Sequence, residues 1–369
     1  MERYHRHSLI DWFPQDKVMA SSCAIIGCGA TGNEVAKNFA LLGVGTIDLF
    51  DFDTIELHNL TRSILFREAD VGKNKAETAA CRLRELDPNV VVKAYAGDFW
   101  DTLSLKKLAS YSCVVCCVDN FEARIKLNLL CLLTKTSLIN TGIDSRFGQV
   151  DVFPFNAAAT VGCYECNLPD SVYTRMQERY SCGWLKKVAY RERKIPTTIM
   201  TASLAASLAV SKAMQLIAGN TGNLAERILV DTFSGHSTLS TIENNDACVA
   251  CGDVGATITI MQASSIVHDT FRNVAEQPCF LTTSDAILVS KRCVKCQPDD
   301  DDAEVVFERV SNFNATQSMC PTCQEDSMQL DIRDTFTVDE LITHFVGRKL
   351  PAKFVRFSNH QKTIIIELE

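Results

Sequence analysis

The chain has 369 residues, of which 46% are apolar and 22% charged, and its formal net charge is −8. This composition excludes a wholly disordered chain and predicts two or three domains with sizeable hydrophobic cores. The negative charge argues against a general nucleic-acid-binding surface, so we expect no nucleic acid among the partners.

The first residues lack the apolar stretch of a secretory signal. The most apolar later segment, residues 199–217, is rich in Ala, Ser and Thr and contains Lys212. A membrane-crossing helix needs about 20 mostly apolar residues, so this segment predicts a buried helix. We therefore expect a soluble, cytoplasmic protein with no membrane partner.

Strand and helix patterns alternate along the N-terminal half. Short apolar runs predict strands at residues 22–26, 46–50, 90–95, 113–118 and 138–141. Between these runs, Val35, Phe39 and Leu42 repeat at helical spacing, and further helices are predicted from Lys75 and from Glu122. This alternation predicts an α/β fold with a Rossmann-like, doubly wound parallel sheet. Further strands are predicted at 227–231 and 237–242.

A glycine-rich segment, Gly27-Cys28-Gly29-Ala30-Thr31-Gly32, joins the first predicted strand to a helix. The glycines let the backbone approach phosphate groups and direct amide N–H groups and the helix N-terminus at them. Asp51, at the end of the second strand, can accept hydrogen bonds from ribose hydroxyls. These residues predict a nucleotide site, which alone would fit NAD or FAD. A glycine turn without a ligand is the plainer alternative.

Three charged residues near strand ends favour a triphosphate over a dinucleotide. Arg62 and Lys75 follow Asp51 in the chain, and Asp119 ends the strand predicted at 113–118. Cations and a carboxylate that can hold Mg²⁺ suit a triphosphate undergoing displacement, in which charge accumulates on phosphoryl oxygens. Taken singly, each is a surface charge or a helix cap, but together they predict an ATP site.

Six segments, in this order, resemble the ubiquitin-activating enzyme superfamily, and most closely its ThiF/MoeB/HesA branch. They are Arg3-Tyr4-His5-Arg6, Gly27 to Gly32, Asp51-Phe52-Asp53, Asn59-Leu60-Thr61-Arg62, Val71-Gly72-Lys73-Asn74-Lys75 and Val118-Asp119-Asn120. The resemblance covers roughly residues 1 to 251. It implies ATP-dependent adenylation of the C-terminal glycine of a ubiquitin-like or sulfur-carrier protein.

The resemblance also implies roles for individual residues. Asp51 would bind the ribose, and Asp119 would hold Mg²⁺. Arg6 would reach across a homodimer to the partner's triphosphate, although His7 stands where the family usually has Gln. The implied nucleotide-binding set is Gly27, Gly29, Gly32, Asp51, Asp53, Asn59, Arg62, Lys75 and Asp119. The implied catalytic set is Arg6, Arg62, Lys75, Asp119 and Cys182.

Eight of the seventeen cysteines form CxxC pairs: Cys163/Cys166, Cys248/Cys251, Cys293/Cys296 and Cys320/Cys323. Two thiolate pairs that close a long loop make a tetrahedral four-cysteine site, so we expect two structural Zn²⁺ ions. The first two pairs also match the family's structural zinc site. The last two have zinc-ribbon spacing, and the acidic run 299–302 between them disfavours nucleic acid. Protein docking and a purely structural role both remain open for this ribbon.

Cys182 lies in a segment, residues 173–194, that is rich in Lys and Arg. Nearby cations lower the pKa of a thiol and raise its thiolate fraction. In the family this region supplies the cysteine that accepts the carrier protein, so Cys182 is the predicted thioester residue. A non-catalytic surface cysteine is the alternative.

We predict three regions: an adenylation domain with a four-cysteine zinc site over 1–251, a connecting segment over 252–284, and a zinc ribbon with a small α/β tail over 285–369. In the tail, residues 338–345 predict a helix and 354–357 and 363–368 predict strands. The tail does not resemble the rhodanese domain of some family members, and recruitment of a conjugating enzyme is a hypothesis for it.

The predicted function is adenylation of a ubiquitin-like protein, thioester formation on Cys182 and transfer to a conjugating enzyme. One alternative is a sulfur-carrier adenylyltransferase without a thioester step. The others are an NAD-dependent oxidoreductase, which leaves Arg62, Lys75 and Asp119 without roles, and an inactive scaffold subunit.

Overall fold

The chain divides into two compact units in a computed structural model. The first comprises Met1–Leu168 and Lys194–Gly252, and the second comprises Pro169–Arg193 and Asp253–Glu369. The structure describes residues 3–157, 161–173, 196–220, 225–252, 257–263, 280–297, 303–312, 319–325, 327–337, 339–340, 350–358 and 362–368.

The first unit is built on an eight-stranded sheet in the order β3-β2-β1-β4-β5-β6-β7-β8. Strands β1 to β5 are parallel, and β6, β7 and β8 are antiparallel additions. The strands are β1 (Ser22–Ile26), β2 (Thr46–Phe50), β3 (Val91–Tyr95), β4 (Cys113–Cys116), β5 (Leu138–Ile143), β6 (Phe147–Phe153), β7 (Ala225–Asp231) and β8 (Ser237–Ile242). The Rossmann-like α/β prediction is confirmed.

Seven α-helices connect and flank these strands in the described part of this unit. They are α1 (Gln15–Ala20), α2 (Ala30–Leu42), α3 (Lys75–Leu86), α4 (Phe99–Thr102), α5 (Leu105–Leu108), α6 (Phe121–Thr134) and α7 (Ile199–Ala218). Common capping residues mark the ends of these helices. The Asn74 side chain accepts from the N–H of Glu77 at 3.0 Å and starts α3, and Gly43, with φ of +80°, ends α2.

Strand β1 consists almost entirely of apolar residues. Both faces of a parallel sheet are covered, so side chains on both sides of the strand are buried. Cys23, Ala24 and Ile25 are wholly buried. Helix α7 is the one described helix long and apolar enough to cross a membrane, and half of its most apolar window is buried. Its Ala202, Ala205, Ala206 and Ala209 are wholly buried, and it packs against α2, β5 and β6. It is therefore a core helix of this unit.

One predicted strand ends earlier in the structure, and one observed strand was not predicted. The strand predicted at 113–118 ends at Cys116, and the last bond of its ladder with β1 runs from the N–H of Cys117 to the carbonyl of Ile26 at 2.7 Å. Strand β6 was not predicted, because Gln149 and Asp151 interrupt its apolar pattern. Asp151 is nevertheless fully buried, paired with Arg227 at 2.7 Å.

The second unit contains a six-stranded sheet in the order β11-β10-β13-β14-β9, with β12 paired to β10. Its strands are β9 (Thr257–Ala263), β10 (Phe280–Cys293), β11 (Glu304–Arg309), β12 (Met328–Thr337), β13 (Phe354–Ser358) and β14 (Lys362–Leu368). The segment predicted as a connection, 252–284, thus contributes β9 and the start of β10 to this sheet. Most of the helix predicted at 338–345 lies outside the described residues.

Candidate functional site

The carboxyl ends of β1, β2 and β4 meet at one edge of the first unit's sheet. The strand order reverses between β1 and β4, which is where ligands bind in open α/β sheets. The N–H of Gly27 donates to the carbonyl of Phe50 at 2.8 Å, which ties the β1–α2 turn to the end of β2. We call this region the nucleotide edge.

The three glycines of the β1–α2 turn have different surroundings. Gly27 has φ of +93°, and a Cβ there would lie 2.9 Å from the carbonyl oxygen of Cys117. A Cβ on Gly32 would lie only 1.9 Å from the carbonyl oxygen of Gly27. The fold itself therefore requires these two glycines. A Cβ on Gly29 would meet no atom within 4 Å, so the space beside Gly29 is open to a ligand.

Asp51 lies beside this turn, at the end of β2. Its carboxylate accepts from the N–H of Cys28 at 2.6 Å and from the N–H of Asp53 at 2.8 Å. Burial raises the pKa of Asp51 above its ordinary value, while the Cys28 N–H and the charge of Lys75 act in the opposite direction. The carboxylate is thus fixed against the backbone of the glycine turn.

Lys75 lies at the start of α3, on the same edge. Its ammonium is 2.7 Å from the carboxylate of Asp53, and its side chain is mostly buried whereas that of Asp53 is exposed. The side-chain amide of Asn74 donates to the carbonyls of Asp51 and Asp53 at 3.0 and 3.2 Å. These contacts bring together the side chains of Asp51, Asp53 and Lys75. A phosphate that binds Lys75 would replace Asp53 as its partner.

The side chains of two further predicted residues make hydrogen bonds within their own turn. The Arg62 guanidinium donates to the carbonyl of His58 at 2.9 Å. The Asn59 side chain accepts from the N–H of Glu56 at 2.9 Å and caps this turn. Within the described ranges, no hydrogen bond joins Arg62 or Asn59 to Asp51.

Arg6 and Asp119 are exposed, and neither has a hydrogen bond or ion pair within the part of the chain that the structure describes. Asp119 follows β4, and the next residue, Asn120, caps α6 by accepting from the N–H of Ala123 at 2.8 Å. The Arg124 guanidinium donates to the carbonyl of Val118. These contacts fix the backbone on both sides of Asp119. Its carboxylate oxygens are exposed, and such oxygens are suitable ligands for Mg²⁺.

Asn33 is a functional candidate that sequence analysis missed. It is wholly buried on α2, and its amide donates to the carbonyls of Cys28 and Gly29 at 2.7 and 3.1 Å. Its oxygen accepts from the N–H of Leu65 at 2.9 Å. Asn33 therefore joins the glycine turn to the segment after Arg62. The sequence feature that could have identified Asn33 is an amide side chain directly after Gly32, on the inner face of a helix.

The four cysteines Cys163, Cys166, Cys248 and Cys251 form one cluster in the first unit, with all sulfurs within 4.8 Å of one another. The sulfur of Cys163 lies 3.7 Å from that of Cys248 and 3.8 Å from that of Cys166. Four ligands about 2.3 Å from a tetrahedral Zn²⁺ stand roughly 3.8 Å apart, so this set fits zinc. The predicted grouping of the first two CxxC pairs is confirmed.

The second cluster, Cys293, Cys296, Cys320 and Cys323, lies in the second unit, and its sulfurs likewise lie within 4.8 Å of one another. The sulfurs of Cys293 and Cys323 are 3.8 Å apart, and those of Cys296 and Cys320 are 4.0 Å apart. The hydroxyl of Ser327 lies 3.0 Å from the sulfur of Cys293. This set also fits zinc, and each cluster is complete within its own unit.

Cys182, the predicted thioester residue, lies outside the described residues.

A family model described as the ThiF family matches residues 4–258. The chain belongs to the ThiF family. The match spans the described sheet of the first unit and both CxxC pairs of its cysteine cluster. Strands β10 to β14 of the second unit lie outside it.

Individual ThiF relatives are distant in sequence. The adenylyltransferase and sulfurtransferase MOCS3 of Aedes aegypti is 29% identical over 245 residues, which cover 65% of this chain and 52% of that protein. The chain thus matches about half of that relative's length. The sulfur carrier protein adenylyltransferase of Thermus thermophilus is 28% identical over 263 residues, 69% of this chain and 91% of that protein.

Among solved structures, MccB of Escherichia coli with AMPCPP and MccA has a TM-score of 0.57 at 27% identity, covering 68% of this chain and 74% of that one. MccB with ATP has a TM-score of 0.53 at 27% identity, covering 64% and 68%.

Replacement of Asn33 tests its bridging contacts. We expect Asn33→Ala to lower the free energy of unfolding by about 1–3 kcal/mol, because the buried N–H of Leu65 loses its acceptor. Asn38→Ala, a partly exposed position on the same helix, should change it by less than about 0.5 kcal/mol. Urea unfolding of both variants measures this, and equal stabilities would contradict the structural role.

Metal analysis tests the two clusters. We expect about two zinc ions per purified chain, and about one in Cys163→Ser and in Cys293→Ser, because three thiolates hold the metal less firmly than four. Each variant should also unfold at a lower temperature. Cys81→Ser, at an exposed cysteine outside both clusters, should retain about two ions. Unchanged zinc content in a cluster variant would exclude that cluster as a zinc site.

Proposed function

We propose that this ThiF-family chain is an adenylyltransferase that uses ATP to activate the C-terminal glycine of a small carrier protein. The observation that carries the proposal is the composition of the nucleotide edge. A glycine turn that is open at Gly29 lies there with Asp51, Lys75 and the carboxylate of Asp119, which has no partner among the described residues. The names of the Aedes and Thermus relatives, and the MccB structure with ATP, support the same activity.

In this proposal the N–H groups at the start of α2 face the phosphates and Asp51 accepts from the ribose hydroxyls. Helix N-termini carry partial positive charge and unpaired N–H donors, which suit a triphosphate. Asp119 would hold Mg²⁺, which when bound neutralises phosphate charge. Lys75, released from Asp53, and Arg62 would add positive charge, and Arg6 would do so from the partner subunit of a homodimer.

The proposed reaction is a displacement at the α-phosphorus. A carboxylate oxygen of the carrier's terminal glycine forms a bond to this phosphorus, the bond to the bridging oxygen of the β-phosphate breaks, and pyrophosphate leaves. Because a carboxylate is a weak nucleophile, rate enhancement comes mainly from alignment and from cations around the phosphates. A nicotinamide oxidoreductase would use the same turn but gives no role to Lys75 or Asp119.

Carrier-dependent ATP–pyrophosphate exchange tests the proposed activity. The probes are ubiquitin and purified sulfur-carrier proteins that end in Gly-Gly. We expect exchange with at least one of them, and a loss of about 100-fold or more in Asp119→Asn, because phosphate charge is no longer neutralised in the transition state.

The matched control is Asp16→Asn, an exposed carboxyl on α1, at the opposite edge of the sheet. It should exchange at the wild-type rate. Wild-type exchange in Asp119→Asn would remove Asp119 from the site, and no ATP binding by the wild type would overturn the adenylyltransferase proposal.

We further propose that the carrier is a ubiquitin-like protein and that the thiolate of Cys182 attacks the acyl-adenylate. A thioester bond forms, and the bond to the AMP oxygen breaks, so AMP leaves. The basic composition of residues 173–194 supports a reactive thiolate. Attack by an external sulfur donor, without a thioester, is the alternative, and the name of the Thermus relative favours it.

A non-reducing gel distinguishes the two routes. With ATP and an active carrier, the thioester route predicts a band of the combined mass that disappears with reducing agent and is missing in Cys182→Ala. Cys81→Ala should retain the band, since Cys81 is an exposed cysteine far from the basic segment in sequence. Exchange activity without any such band would favour the sulfur-carrier alternative.

A further inference from the structure

The two cysteine clusters differ in how well the protein shields them from water. In the first cluster three cysteines are buried and the fourth, Cys251, is partly exposed. In the second cluster two are buried, Cys323 is partly exposed and Cys296 is exposed. The residues between the ligands follow the same pattern, since Tyr164 of the first cluster is 7% exposed and Val294 of the second is 48% exposed. Cys296 is thus the one exposed residue among the eight clustered cysteines.

The sulfurs of the second cluster also differ in the hydrogen bonds that they accept. The Ser327 hydroxyl lies 3.0 Å from the sulfur of Cys293 and 3.4 Å from that of Cys323. The sulfur of Cys296 contacts that of Cys320 at 4.0 Å, and no N–H or hydroxyl group of the described residues donates to it. Hydrogen bonds to a thiolate stabilise its charge and make it a weaker nucleophile. Within this cluster, Cys296 therefore combines exposure with a sulfur that has no such donor among the described residues.

The sheet of the second unit anchors the buried half of this cluster. Cys293 is the last residue of β10 and pairs with Met328, the first residue of β12. Ser327 directly precedes β12, and its carbonyl accepts from the N–H of Val294 at 3.0 Å. Cys296 instead lies on the exposed turn that follows β10. A movement of Cys296 therefore leaves the pairing of the two strands intact.

We propose that Cys296 is an oxidation site, at which hydrogen peroxide converts the second cluster from a zinc-binding form to a disulfide form. Susceptibility to oxidation follows thiolate character and exposure. Zinc is bound by thiolates, so Cys296 has both properties when the cluster holds the metal. The first cluster has no exposed cysteine and keeps its metal. This inference does not depend on the adenylation reaction or on the identity of the carrier.

The reaction requires only peroxide and two thiolates of the cluster. The thiolate of Cys296 attacks one peroxide oxygen, an S–O bond forms, the O–O bond breaks and hydroxide leaves, so the sulfur is oxidised and the peroxide reduced. The thiolate of Cys320 then attacks the sulfur of Cys296. An S–S bond forms, and the S–O bond breaks with loss of a second hydroxide. The cluster has then lost two of its four ligands, and the remaining two thiolates hold zinc much less firmly.

Zinc release from the zinc-loaded full chain is the test, measured with a chromophoric chelator after addition of hydrogen peroxide. We expect release of about one of the two ions, since one cluster is exposed and the other is not. Cys296→His removes the thiolate but keeps a zinc ligand, so it should bind about two ions and release zinc about tenfold more slowly. The control, Cys81→Ser, removes an exposed cysteine outside both clusters and should release zinc as the wild type does.

Mass spectrometry of the oxidised wild-type chain identifies the reacting residues without any substitution. We expect a disulfide between the peptides that contain Cys296 and Cys320, with Cys163 and Cys248 still reduced. Treatment with a thiol reductant and added Zn²⁺ should return the chain to about two ions, because a disulfide is reversible whereas higher oxidation is not.

The contrary results are equally specific. No release of zinc, or release of both ions at the same rate, overturns the proposal. Release from Cys296→His at the wild-type rate overturns it as well, and so does an oxidised wild type in which Cys296 is still reduced. If Cys296→His fails to bind the second ion, the disulfide found in the wild type decides. None of these measurements uses ATP–pyrophosphate exchange, so the proposed function is tested separately.

Discussion

At Gly27 the β1–α2 turn lies so close to the end of β4 that the backbone leaves no space for a side chain. A Cβ on Gly27 would meet the carbonyl oxygen of Cys117, and a Cβ on Gly32 would meet the carbonyl oxygen of Gly27. The turn lies at the point where the strand order reverses. The open space at Gly29, the contact between Asp51 and the N–H of Cys28, and the bridge made by Asn33 all depend on it.

Two charged side chains at the nucleotide edge, Lys75 and Asp51, are each held by neighbouring groups of the protein. Lys75 is paired with Asp53, and Asp51 is held by backbone N–H groups although burial opposes its charge. A mostly buried ammonium without a counterion would be costly, so Asp53 stabilises Lys75. In the proposed ATP complex, a phosphate would take the place of Asp53 beside Lys75.

The sequence predicted those parts of the molecule that local patterns determine. Apolar runs located β1 and β2 to the residue, and the CxxC spacing grouped all eight clustered cysteines correctly. Contacts between distant side chains could not be predicted in this way. Arg146, whose Nε donates to the Asp231 carboxylate at 2.7 Å, is far from Asp231 in the chain, and a single arginine in a turn has no pattern that selects its partner. Strand β6 was missed for a related reason, because the buried charge of Asp151 is acceptable only once Arg227 on β7 is beside it.

Helix α6 connects the nucleotide edge with the first cysteine cluster. Its N-terminus follows Asp119, and two turns later Asn128 is wholly buried and accepts from the N–H of Tyr164 at 3.0 Å. The Asn128 amide also donates to the Glu165 carboxylate at 3.1 Å. Tyr164 and Glu165 are the two residues between Cys163 and Cys166, so a metal that fixes these cysteines also fixes the loop on which α6 rests. A metal held by this cluster would therefore also steady the helix that follows Asp119.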